Sequence, residues 1–130
     1  MDKLYNACKK VFDNSYSPYS KFKVGAAVLL KNGEIITGCN VENASYGLSN
    51  CAERTALFTV YSAGYRIYDI DKMMIIGDVE KPISPCGACR QVIIELMHPE
   101  CEIIMTNLKK DYKLLKVKDL LPYSFDKEVL

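Results

Sequence analysis

The stretch Asn50-Cys51-Ala52-Glu53-Arg54 decides how this chain is read, together with Ser84-Pro85-Cys86-Gly87-Ala88-Cys89-Arg90 further on. The first supplies a thiol and, two residues later, a carboxylate. The second supplies two thiols in C-x-x-C spacing. Each sits at a helix-start signal. Asn50 or Cys51 precedes an apolar stripe of Ala52, Ala56, Leu57, Val60 and Tyr61 that ends before Gly64. Ser84 followed by Pro85 reads as an N-cap with proline in the first helical position. Helix N-termini carry unpaired N–H groups and a positive dipole end, so they favour thiolate over thiol. Cys86 and Cys89, three apart, project to one side of a helical turn. If the two helix starts face each other, three sulfurs converge on a metal at about 2.3 Å each. Three protein ligands and an open position mark catalytic zinc, whereas structural zinc usually has four protein ligands.

Outward from these motifs, the elements follow from hydrophobic period and turn chemistry. Leu4, Ala7, Cys8, Val11 and Phe12 recur at helical spacing and predict a first helix over about residues 2–14. Cys8 on its apolar face reads as a small buried hydrophobe. After the turn-rich 14–20, Phe22 to Leu30 is a strand, and Lys31-Asn32-Gly33-Glu34 signals a two-residue hairpin into a strand Ile35–Cys39. Gly25, Ala26 and Ala27 leave room for something to approach the sheet, or let a helix pack closely. Asp71–Gly77 reads as a buried strand, and the third helix stops near His98-Pro99. Glu102–Thr106 and Tyr112–Leu115 are further strands, and Val117–Leu121 is one helical turn. The tail from Tyr123 to Leu130 carries one large apolar residue, Phe125, in polar company. The strand–helix–strand–helix–strand run from Ile35 to Met105 implies parallel pairing. The expected architecture is α/β: a single domain over 1–130, with a mixed sheet covered by helices on both faces.

Composition removes several function classes. With 130 residues, 49% of them apolar, the chain can build one real core. Its net charge of +1 is scattered without a long basic run, which argues against a polynucleotide partner. No apolar run approaches the ~20 residues that span a membrane, and the first residues show no apolar signal segment. The expected compartment is the cytoplasm, where thiols stay reduced. Six cysteines and one histidine then point to metal binding or catalysis rather than disulfides. Cys39 and Cys101, in or beside strands, read as packing residues, and His98 at a helix C-terminus as a dipole-interacting side chain.

Zinc with three thiolates has a net charge of −1, a weaker Lewis acid than zinc held by imidazoles, so charge relief is needed nearby. Arg54 is the residue expected to donate to the ligand sulfurs; Arg90 reads as a surface arginine or a second such donor. Glu53 has two readings. Asn50-x-x-Glu53 fits a capping box, and the alternative makes Glu53 a proton acceptor and donor beside the metal. Asn40 and Glu42, two apart on an extended segment, point the same way. They read either as a pair for sugar hydroxyls or, more blandly, as loop-stabilising side chains.

C-A-E with P-C-x-x-C matches the zinc-deaminase pattern in its all-cysteine form. The chain resembles the small, three-cysteine cytidine deaminases. The likeness runs from about Tyr16 to Phe125 through S-P-Y-S-K-F-K-V-G-A-A (17–27), G-C-N-V-E-N-A-S-Y (38–46), N-C-A-E-R-T-A (50–56), S-P-C-G-A-C-R-Q-V (84–92), T-N-L (106–108) and L-L-P (120–122). It implies the family's three-layer α/β/α sandwich with a five-stranded sheet. It implies one zinc ion per chain at Cys51, Cys86 and Cys89, with Glu53 moving protons. Substrate binding is implied for Phe22 on the pyrimidine, Asn40 and Glu42 on the ribose hydroxyls, and Ala52. A homotetramer with shared sites is implied too, in which Tyr46 and Phe125 complete a neighbour's site. The implied reaction is hydrolytic deamination of cytidine and deoxycytidine to uridine and deoxyuridine with release of ammonia, as in pyrimidine salvage. The implied partner is a free nucleoside, not a nucleic acid.

Four other readings share parts of this pattern. A deaminase of another aminopyrimidine nucleoside, of the blasticidin type, shares the zinc motif, but the carboxylate in N-V-E suits a free ribose. A polynucleotide deaminase lacks the basic and aromatic groove residues it needs. A non-catalytic zinc module requires a fourth ligand, from His98, Cys39 or Cys101. A C-x-x-C oxidoreductase leaves Cys51 and Glu53 without a purpose.

Overall fold

The computed structural model describes residues 1–127; of the expected domain span 1–130, residues 128–130 lie outside the described residues. Three α-helices and five strands are described: α1 (Asp2–Phe12), β1 (Val24–Leu30), β2 (Ile35–Cys39), α2 (Ala52–Ser62), β3 (Ile70–Gly77), α3 (Gly87–Leu96), β4 (Glu102–Asn107) and β5 (Tyr112–Lys116). The strands form one mixed sheet in the order β2-β1-β3-β4-β5.

Side-chain alternation along the strands builds two cores. Met73 and Ile75 of β3 and Ile103 and Met105 of β4 face α2 and α3, where Ala56, Leu57, Val60 and Ile93 are buried. Met74, Ile76 and Ile104 face the other way, against Leu4, Tyr5, Cys8 and Phe12 of α1. Buried on both faces, β3 and β4 are continuous apolar runs rather than alternating ones. The α/β/α layering is therefore as expected, and Cys8 is a fully buried packing residue.

Pairing departs from expectation in one respect. β3 and β4 are parallel, but β2 and β3 are not neighbours, because β1 lies between them and is antiparallel to both. The crossover through α2 thus skips a strand. β1 takes the inner position because its small and apolar residues are buried nearly throughout.

The hairpin also differs. Leu30 donates to the Glu34 carbonyl at 2.8 Å and Gly33 to the Leu30 carbonyl at 2.9 Å, so the chain reverses over three residues, Lys31-Asn32-Gly33. Gly33, at φ +91°, occupies the left-handed position that this loop length demands.

Two strand glycines set how closely helices approach. A Cβ on Gly38 of β2 would lie 2.5 Å from the Ala56 backbone nitrogen of α2. A Cβ on Gly25 of β1 would lie 2.7 Å from the Cys8 carbonyl oxygen of α1. The small residues of β1 thus admit a helix, which settles their open reading.

Candidate active site

Both cysteine motifs end as helix N-caps. Asn50 is held extended by paired backbone hydrogen bonds with Val41, 2.9 and 3.0 Å long. Of the two expected starts, Asn50 or Cys51, the helix takes the later: Cys51 is the N-cap, with φ −78° and ψ 156°. This removes the capping box. Asn50 Nδ2 donates to Thr55 Oγ1 at 3.2 Å instead, and Glu53 stands one position too early to reach back. At α3 the expected N-cap Ser84 is also displaced. Cys86 is extended at φ −68° and ψ 168° and caps the helix, its carbonyl accepting from Arg90 N at 2.9 Å. Cys89 follows inside the first turn and is buried.

The Sγ atoms of Cys51, Cys86 and Cys89 lie within 4.8 Å of one another, and among the described residues no other His, Cys, Asp or Glu joins them. Cys51 and Cys86 are 3.9 Å apart. A tetrahedral site with metal–sulfur bonds of about 2.3 Å places its sulfurs about 3.8 Å apart, so the trio fits such an ion with one position free. Among the described residues all six cysteines are free thiols.

The electrostatics fit as well. Arg54 Nη2 donates to Cys51 Sγ at 3.1 Å. The Cys51 thiol is lowered to about 5, first by the Cys89 thiol that donates to it and then, against burial, by Arg54. Cys89 is pushed up in return by that hydrogen bond and by burial. Arg54 is held more firmly protonated, chiefly by its bond to Cys51. Its Nε is buried with no hydrogen-bond partner among the described residues.

Glu53 is 4% exposed. Burial lifts its carboxyl to about 7, against the opposing pull of its own backbone N–H. A carboxyl balanced near neutral pH can both take and return a proton.

These groups open onto a cleft of about 450 Å³, the size of a small-molecule site. Of the residues singled out from sequence, Phe22, Asn40, Glu42, Tyr46, Cys51, Ala52, Glu53, Arg54 and Cys86 line it. Asn40 Oδ1 accepts from Val24 N at 2.9 Å and its Nδ2 donates to the Phe22 carbonyl at 2.8 Å. Glu42 Oε1 accepts from Tyr19 and Ser20 N at 3.0 and 3.1 Å, and the Ser20 hydroxyl donates to Oε2. That hydroxyl, with the two N–H groups, holds the carboxyl below its usual range. The pair thus stabilises its loop and faces the cleft at once, so the two sequence readings do not exclude each other. Phe125 is exposed and stands apart from these lining residues, with its carbonyl accepting from Gln91 Nε2 at 2.7 Å. Arg90 reaches no sulfur among its hydrogen bonds. Sequence reasoning passed over Ile83, which lines the cleft and packs into the space left by Gly77, beside Phe22. An isolated apolar residue in an irregular segment gives no periodic signal.

The match to known proteins follows this geometry. Residues 1–105 match the family model described as the cytidine and deoxycytidylate deaminase zinc-binding region. The chain is 49% identical over 116 residues to the cytidine deaminase of Halalkalibacterium halodurans, covering 89% of this chain and 86% of that one. It is 47% identical to the cytidine deaminase of Sporosarcina psychrophila, covering all of this chain and 94% of the other. The crystal structure of the Burkholderia pseudomallei cytidine deaminase superposes with a TM-score of 0.92 at 50% identity, covering 95% of this chain and 98% of that one. The Mycobacterium tuberculosis enzyme superposes at 0.79 with 35% identity over 95% of each chain. The chain belongs to the cytidine and deoxycytidylate deaminase family of hydrolases.

Proposed function

We propose that the protein hydrolyses cytidine and deoxycytidine to uridine and deoxyuridine. The observation that carries this reading is the buried Glu53 carboxyl, balanced near pH 7, lining one cleft with Cys51 and Cys86 of the three-thiol cluster, whose third member Cys89 lies buried behind them. Cys51, Cys86 and Cys89 would hold one zinc ion, which when bound supplies Lewis acidity for activating water. Glu53 takes a proton from the attacking water and delivers it to N3 of the pyrimidine. Oxygen adds at C4, and after a second proton transfer the C4–N bond breaks and ammonia leaves. Arg54 offsets the excess negative charge of three thiolates.

Phe22 offers its ring to the face of the base, and buried Ala52 lines the same cleft. Asn40 and Glu42 take the ribose hydroxyls. A carboxylate there disfavours a phosphate on the sugar, which supports a free nucleoside over a nucleotide. Tyr46, 65% exposed at the cleft, and Phe125, 57% exposed, would meet a neighbouring subunit in a homotetramer with shared sites. No helix among the described residues is long and apolar enough to cross a membrane. The reading places the enzyme in the cytoplasm, in pyrimidine salvage.

The test follows the ultraviolet change from cytidine to uridine with zinc-loaded protein, beside Glu53→Gln. Wild type should turn over, and the variant should lose at least about 10²-fold in kcat while keeping its zinc. Wild type that holds zinc but leaves cytidine unchanged refutes the proposal. Full activity in the variant refutes the role of Glu53.

A further inference from the structure

Cys86 differs from its two companions in how it is held. Cys51 follows a residue bridged to Val41 on both backbone groups, and Cys89 is buried inside α3. Cys86 is exposed at the end of the irregular segment 78–85. Pro85, just before it, has no backbone N–H to anchor the chain. Asn107 Nδ2 holds the Glu80 carbonyl at 2.8 Å and Ile83 N reaches the Thr106 carbonyl at 3.5 Å, but the two residues directly before Cys86 are held by Arg90.

The Arg90 guanidinium makes three hydrogen bonds in three directions. Nε donates to the Pro85 carbonyl at 2.9 Å, Nη2 to the Ser84 hydroxyl at 2.7 Å, and Nη1 to the Leu120 carbonyl at 3.0 Å. Its backbone N–H takes the Cys86 carbonyl at 2.9 Å. Leu120 is 1% exposed, so one arm of the fork is anchored in the core. The other two grip both residues preceding the sulfur ligand.

We propose that Arg90 is a positioning residue for the metal centre: it fixes Ser84-Pro85 so that Cys86 stands ready for the ion, without touching a sulfur itself. This rests on the metal reading above. Lysine would keep the charge but cannot reproduce the planar fork, so Arg90→Lys should fail here as a replacement.

The experiment loads wild type and variants with zinc and measures release into excess of a colorimetric chelator. Thermal melts of the metal-stripped proteins are recorded alongside. Arg90→Met and Arg90→Lys should release zinc about tenfold faster, and Ser84→Ala, which removes one acceptor, about threefold faster. Gln91→Ala is the control. It cuts a bond between the same helix and the Phe125 carbonyl, and it should melt lower or unchanged while releasing zinc at the wild-type rate. Should the Arg90 variants not fold, Ser84→Ala against Gln91→Ala decides. Wild-type release rates in the Arg90 and Ser84 variants overturn the inference alone, as does equal acceleration by Gln91→Ala. Wild type that takes up no zinc overturns the metal reading and this inference with it.

Discussion

Arg54 and Glu53 are adjacent in sequence yet meet opposite electrostatic demands. Glu53 turns into a buried setting, where desolvation favours its neutral form. Arg54 reaches Cys51 and stays charged. One turn of α2 thus carries a carboxyl balanced near neutral pH and a fixed cation side by side. Among the described residues Arg54 Nε is buried without a hydrogen-bond partner, a setting that costs about 1–3 kcal/mol and that an arginine turned outward would avoid. Arg54→Ala should therefore lower zinc affinity about 10–100-fold, measured by chelator competition, and turnover should fall with it. Unchanged affinity would remove Arg54 from the metal's environment.

At the scale of elements, the site depends on how deep α2 sits on the sheet. Gly38 admits the α2 backbone, and Gly25 admits α1 on the opposite face. Alanine at either position meets backbone atoms inside 3 Å, so each should destabilise by about 1–3 kcal/mol in a denaturant titration. Only Gly38→Ala displaces the helix that carries Cys51, Glu53 and Arg54. Zinc affinity should fall in Gly38→Ala and hold in Gly25→Ala; equal losses would show that helix depth is not what aligns the trio. Glu100, before β4, ties the far end of the sheet to the turn after β5. Lys118 and Lys116 bind its two carboxylate oxygens and hold the group down at about 2, below an ordinary 4.5. Its pKa is lowered on folding, so it adds stability at neutral pH that is lost as pH falls from about 4.5 toward 2. Melts across that range should show a shallower acid limb for Glu100→Gln, and less difference from wild type in high salt.

The described residues leave apolar side chains uncovered: Tyr46 at the cleft at 65% exposure, Leu48 two residues on at 73% and, on α2, Phe58 at 48%. Phe125 is 57% exposed, with its carbonyl accepting from Gln91 Nε2, and is not among the residues that line its own chain's cleft. Both facts accord with sites completed by neighbours. If so, Phe125→Ala should raise KM for cytidine several-fold, with zinc content and the far-ultraviolet spectrum unaltered, and wild type should sediment as a tetramer. A monomeric, fully active protein would mean that each chain's cleft is complete by itself.

Much of this protein was legible in its residues. Helical and strand periods, which are local, placed the three α-helices and five strands of the described residues to within a few residues. C-A-E and P-C-x-x-C identified the thiol trio because metal chemistry restricts which side chains can serve. What needed the third dimension was anything set by a distant partner. Val41, pairing with Asn50, decided between the two starts that the sequence left open for α2, Asn50 and Cys51, and freed Glu53 from the capping box. Arg90 is half-buried because the Leu120 carbonyl, thirty positions on, accepts from its guanidinium beside the nearby Pro85 carbonyl. β1 separated β2 from β3 because its fully apolar sequence demanded cover from neighbours on both sides. Residue type and spacing determine which groups are available for the chemistry. Their protonation and their alignment depend on burial and on long-range backbone pairing, and those exist only in the folded chain.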